Sequence, residues 1–183
     1  MHSELFVVSL FMPMILAQIP VLKCPNVKVQ QHFDLAAYLG KWYEQEKYPL
    51  IFEIGGKCIT ADYSKRSDGK VEVFNQMKNI LTNSVSSIKG TAELASKKGE
   101  AKLSVTFNTP VTVTSPYWVL STDYKNYAVV YSCQTVVGFS AHTAWILTRD
   151  QHPSEDFINK ARQVLKDNKI NTSFLFKTDQ KNC

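Results

Sequence analysis

The sequence predicts an all-β domain of eight antiparallel strands with one α-helix late in the chain, and three observations predict it. Short β-type runs recur from Lys41 onward at the intervals seen in all-β domains. Turn residues separate them: Gly55-Gly56, Ser67-Asp68-Gly69, Lys98-Gly99, Thr109-Pro110 and Lys125-Asn126. One segment, 152–169, changes to helical period. Several strands are apolar on one face only, which suits an up-and-down barrel or a sandwich.

The elements follow in chain order. Residues 5–17, LFVVSLFMPMILA, carry no charge. A membrane helix needs about 20 such residues. The run suits the core of a signal peptide, residues 1–17, with the small Ala17 before the cut and a single mature domain, 18–183. After an irregular lead, strands are expected at 41–48, 57–64, 70–78, 84–94, 100–107, 115–121, 126–134 and 139–148. Alternation assigns shared faces. Ile59, Ala61 and Tyr63 fall together; so do Val71, Val73, Asn75 and Met77. Ala101, Leu103, Val105 and Phe107 form a third set, and Ala141, Thr143, Trp145 and Leu147 a fourth. In the helix, Phe157, Ile158, Ala161, Val164 and Leu165 make one stripe. Pro153 and Ser154 suit its start, Glu155 and Asp156 its positive end, Lys166 and Asn168 its stop. A short final strand is expected near Ser173–Phe176.

The net charge of +5 is scattered, with no basic run of five, which argues against a nucleic-acid footprint. All four cysteines, Cys24, Cys58, Cys133 and Cys183, lie beyond the signal. An even count in an exported chain implies two disulfides, and spacing leaves three pairings open. No Cys-x-x-Cys or His/Cys cluster suggests zinc, so neither metal nor cofactor is expected. Asn171-Thr172-Ser173 is a glycosylation sequon, whereas Asn108-Thr109-Pro110 is blocked by its proline.

Three motifs then stand in order: FDLAAYLGKWYEQEKYP at 33–49, STDYKNYAVVYSC at 121–133 and AWILTRD at 144–150. Together they resemble the three conserved regions of the lipocalins, and the likeness runs from about Cys24 to Cys183. KCPN, LGKWYE, PYWVLSTDY and NYAVVYSC most resemble the apolipoprotein D branch of that family and its insect, bilin-binding relatives. The resemblance implies an eight-stranded antiparallel up-and-down β-barrel, a calyx, with the α-helix packed outside. It implies that Gly40, lacking a Cβ, lets the lead approach the first strand, and that Arg149 lies over Trp42 to close the narrow end. Thr122, Asp123 and Tyr124 would form the turn of the second motif. It implies the pairings Cys24–Cys133 and Cys58–Cys183.

The expected function is reversible carriage of a small hydrophobic ligand (lipid, sterol, fatty acid or bilin) by a secreted protein. The candidate pocket is Tyr63, Asn75, Met77, Phe107, Thr143, Trp145 and Leu147, with Tyr38 at rim or floor; Tyr63 and Asn75 are the expected polar handles, and Ser132 and Gln134 weaker candidates. For a bilin, Lys57, Lys65 and Arg66 could meet propionates. Leu50, Ile51 and Phe52 are unusually apolar for a loop and mark a lid, a lipid surface, a dimer contact or a receptor contact, the alternative being a membrane- or receptor-interacting protein. No enzyme is expected. Gly138-Phe139-Ser140-Ala141-His142 lacks the last glycine of a nucleophile elbow, and paired cysteines leave no thiolate. His142 is expected on the outward face, at the surface.

Overall fold

The structure is a computed structural model that describes residues 19–136 and 138–183; the signal-peptide segment 1–17 lies outside them. The chain forms β1 (Ile19–Val21), α1 (Leu35–Tyr38), β2 (Gly40–Lys47), β3 (Gly56–Lys65), β4 (Val71–Asn79), β5 (Val85–Leu94), β6 (Lys102–Asn108), β7 (Thr112–Thr122), β8 (Tyr127–Val136), β9 (Phe139–Thr148), α2 (Glu155–Asp167) and β10 (Phe176–Lys177). Each strand from β2 to β9 pairs antiparallel with the next, and β9 returns to β2. The result is a closed eight-stranded barrel. The resemblance predicted a barrel, and pairing settles it against a sandwich.

Two elements differ from expectation. The lead contains β1, which pairs with the Ser140–His142 part of β9. The expected strand at 173–176 is a 3-10 turn, Thr172–Phe174, followed by β10. Asn171 causes the turn, because its side-chain oxygen accepts from the Ser173 amide.

Closure between β2 and β3 is partial. Only Gly40–Tyr43 pairs directly with β3. Beyond Tyr43 the tail lies between the strands: β10 pairs with Glu46 and Lys47, and the Thr178 amide donates to the Gln45 carbonyl at 2.9 Å. On the other side the Cys58 amide donates to the Asp179 carbonyl at 2.8 Å. The disulfides are Cys24–Cys133, tying the lead to β8, and Cys58–Cys183, tying the tail to β3.

Two apolar cores result. One fills the barrel, with Trp42, Tyr63, Val71, Val73, Leu103, Val119, Val130 and Leu147 among its members. The other lies outside, where Ile158, Ala161 and Leu165 of α2 meet Val129, Tyr131, Ala144 and Ile146. Strands β8 and β9 are therefore buried on both faces. That corrects the reading of His142. It does point outward, but into the second core, where it is 7% exposed and its Nδ1 lies 2.9 Å from the Tyr131 hydroxyl. Burial lowers its pKa.

Candidate ligand-binding site

The narrow end of the barrel is built around one cation. The Arg149 guanidinium lies 3.8 Å from the Trp42 ring centre. It also donates to five carbonyls: Tyr124 (3.0 Å), Lys41 (2.8 Å), Leu39 (2.8 Å), Ala37 (3.1 Å) and Tyr38 (3.2 Å). Three of these lie at the end of α1, where carbonyls lack helical partners. The Trp42 Nε1–H donates to the Tyr38 carbonyl at 2.9 Å. Gly40 has φ +93°, and a Cβ there would sit 3.3 Å from the Arg149 guanidinium. The glycine thus meets a backbone requirement and clears space for the arginine, more than for the lead.

The turn of the second motif supports the arginine. Asp123 accepts from the amides of Lys125, Asn126 and Tyr127. Burial alone would raise its pKa, but these bonds and the Asn126 side chain lower it. The Thr122 hydroxyl donates to the Tyr127 carbonyl and accepts from the Tyr124 amide. Tyr124 is held at φ +66°, which aims its carbonyl at Arg149.

Above this plug, a chain of three tyrosines forms the floor. The Tyr117 hydroxyl lies 2.9 Å from that of Tyr38 and 2.8 Å from that of Tyr63. Three hydroxyls joined by two bonds leave one hydrogen to offer elsewhere. Burial pushes Tyr63 to about 12 and Tyr38 and Tyr117 well above their usual value, so all three stay neutral. Tyr38 is at the floor, not the rim. Tyr117 is absent from the sequence-derived set, because PYWVL is apolar on both faces.

The remaining candidates lie on the inward faces of β4, β6 and β9. Phe107 fills the space that Gly90 leaves: a Cβ on Gly90 would sit 2.7 Å from the Phe107 ring. Met77 lies against Gly56 near the open end. Trp145 is opposite Lys47, and Leu147 opposite Glu44. Two polar atoms stand out. Asn75 Oδ1 and Thr143 Oγ1 are buried and have no hydrogen-bond partner. Each such group costs about 1–3 kcal/mol. They lie on β4 and β9, above the tyrosine floor.

The mouth carries charge. Lys47 pairs with Glu44 at 3.0 Å and with Glu53. Burial, then repulsion from Glu53, pushes Glu44 up to about 7. Lys65 and Arg66 end β3 at the opposite, narrow end, so of the three basic residues considered for a bilin only Lys57 is near the mouth. Leu50 is 3% exposed and cannot present a contact surface; it is the extended residue that leads into the 3-10 turn at Ile51–Glu53. Ile51 and Phe52 face solvent. Among the described residues no three His, Cys, Asp or Glu are placed to hold a metal.

Comparison with known proteins agrees with this architecture. Residues 33–180 match the lipocalin-like domain. The chain is 42% identical over 162 residues to apolipoprotein D of Cavia porcellus, covering 88% of this chain and 84% of that one. It is 37% identical over 161 residues to the Lazarillo protein of Schistocerca americana, covering 86% and 74%. Among solved structures, insecticyanin from Manduca sexta superposes with a TM-score of 0.78 at 31% identity, over 88% and 89% of the two chains.

Proposed function

The chain belongs to the lipocalin family, a family of non-enzymatic binding proteins, and from that premise we propose that it is a secreted carrier of a small apolar ligand bearing at least one hydroxyl or N–H group. The observation that carries this reading is the pair of orphaned polar atoms inside the barrel, where the other buried polar groups, the tyrosine hydroxyls and the Glu44–Lys47 pair, answer one another. A carbonyl oxygen such as Asn75 Oδ1 only accepts, so its partner must donate; Thr143 can do either. A bound molecule would satisfy both, while Phe107, Trp145, Leu147 and Met77 cover its apolar body. Sterols, bilins and hydroxylated lipids meet that requirement. A bare carboxylate at this depth does not.

The test is a pair of substitutions. Thr143→Val keeps the shape and removes the orphan, so the empty protein gains about 1 kcal/mol in urea unfolding. The same change, and Asn75→Leu, weaken binding of retinol, an apolar alcohol, about tenfold, the cost of one hydrogen bond. No saturable binding across fatty acids, sterols, retinoids and bilins would sink the carrier reading.

A second reading is favoured by a separate observation. Three loops at the open end and the first residue of β9 expose large apolar side chains: Ile51, Phe52 and Ile54; Ile80 and Leu81; Val111; and Phe139. Scattered apolar residues are ordinary on a surface, but their concentration at one end is a contact patch. Lys57 and Lys78 flank it, and Glu53 is paired with Lys47. This end suits an anionic lipid surface, with ligand exchange through the mouth. Flotation with phosphatidylserine vesicles checks it. Phe52→Ser with Ile54→Ser is expected to reduce the bound fraction at least fivefold; equal flotation of the variant refutes lipid contact through this end.

Disulfides and relatives alike are those of an extracellular protein. Asn171 is exposed, and of its side chain only Oδ1 is engaged, which leaves Nδ2 open to a glycan. Secreted protein is expected to lose mass on amidase deglycosylation, and Asn171→Gln to show no such loss.

A further inference from the structure

The upper wall of the barrel between β2 and β3 is made of the chain's last residues. Direct pairing of the two strands stops at Tyr43 and Thr60. From there to the mouth, Phe176–Gln180 is the only described segment bonded to both. Thr178 and β10 hold β2, and Asp179 holds Cys58. Gln180 is the central tie: its buried side-chain amide donates to the Glu44 carbonyl of β2 at 2.8 Å and the Ile59 carbonyl of β3 at 2.9 Å. The Thr178 hydroxyl donates to the Glu44 carboxylate. Cys58–Cys183 is the sole covalent lock on this segment.

We propose that residues 176–183 are a detachable stave: when a thiol reduces Cys58–Cys183, the segment lifts away and the barrel opens sideways between β2 and β3. Cys183 is exposed at the chain end, whereas Cys58 is buried. An incoming thiolate therefore attacks the Cys183 sulfur, and Cys58 leaves as a thiolate that takes up a proton. A second thiol resolves the mixed disulfide, so two thiols are oxidised to one disulfide and Cys58 and Cys183 are both reduced. Without the covalent tie, the segment rests on a few hydrogen bonds and two strand residues, weak enough for local opening well below global unfolding. The main barrel does not depend on it, because β2 stays paired with β9 through Tyr43–Lys47 and β3 with β4 on both sides of a break at Cys58–Ile59. The gap would lie beside Met77 on one side and Trp145 and Leu147 on the other, giving a ligand a lateral way out.

Hydrogen exchange and ligand transfer test this in the full chain. In Cys58→Ser/Cys183→Ser, the amides that bond across the seam, that of residue 58, those of the β2–β10 pairing and those of 176–183, are expected to exchange at least tenfold faster than in the wild type, while β6 to β8 and the β2 amides bonded to β9 are unchanged. Gln180→Ala, with the disulfide intact, should show the same pattern at smaller amplitude. Retinol should leave the double variant for acceptor vesicles about tenfold faster, and wild type treated with dithiothreitol should behave likewise. Unchanged exchange in both variants overturns the stave, as does protection lost evenly around the barrel. The transfer measurement rests on the carrier reading; if the wild type takes up no retinol, that reading fails for this probe, and the exchange pattern still decides the stave.

Discussion

Arg149→Ala is expected to lower the unfolding free energy by about 3–5 kcal/mol, because two or more buried carbonyls lose their donor at about 1–3 kcal/mol each. The guanidinium serves five carbonyls from three segments: the end of α1, the start of β2 and the β7–β8 turn. Truncation leaves those carbonyls facing one another across a small void, and water can reach only the outer ones. The contact with Trp42 adds about 1–2 kcal/mol to what is lost. Arg149→Lys separates geometry from charge. An ammonium keeps the charge but has three donors and no planar fork, so it reaches fewer of the carbonyls. It should recover less than half of the loss. Urea unfolding followed by tryptophan fluorescence measures both. A loss below about 1 kcal/mol for the alanine variant would mean that the narrow end closes by apolar packing alone, with the carbonyls rehydrated.

How far the sequence reveals this molecule depends on what covers each strand. Strands β4 and β6 have one dry face and one wet face, so alternation located Val71, Val73, Asn75, Leu103, Val105 and Phe107 on the inside. Strands β7 to β9 are different. Tyr117 and Val119 point into the barrel while Trp118 and Leu120 point toward the outer core, so PYWVL reads as an unbroken apolar run and its parity is hidden. The same cover misled the reading of His142, whose outward face meets Tyr48 and Tyr131 instead of solvent. Leu50 and Phe52 are equally apolar in a loop, and only the path after Pro49 buries one and exposes the other. The tail was least legible. Gln180 is a polar residue near a chain end, and its two acceptors lie 136 and 121 residues away. No local pattern encodes such a partner. The orphaned Asn75 and Thr143 are intermediate cases: parity placed them inside, but only packing reveals that nothing answers them.

The helix α2 is held to the barrel by an asymmetric ion pair, and that asymmetry decides what its removal does. Glu46 is 2% exposed, on the outward side of β2 beyond a bulge, while Arg162 reaches it from α2 with part of its side chain in water. Arg162 donates through Nε at 2.9 Å and also through a second nitrogen, a two-point grip on the carboxylate. Arg162→Ala therefore does not simply delete an interaction. It strands a buried carboxylate, and the expected loss is about 3 kcal/mol. Glu46→Gln in the Arg162→Ala background removes the stranded charge and should return about half of it. Replacing both with apolar residues, Glu46→Met with Arg162→Leu, should come within about 1 kcal/mol of the wild type, because the pair's attraction largely offsets its own desolvation. Chemical denaturation of the four proteins measures the series. If Arg162→Ala alone cost no more than the apolar double variant, the carboxylate would have found water or another donor, and the pair would be a surface contact rather than the bolt that fastens α2 to β2.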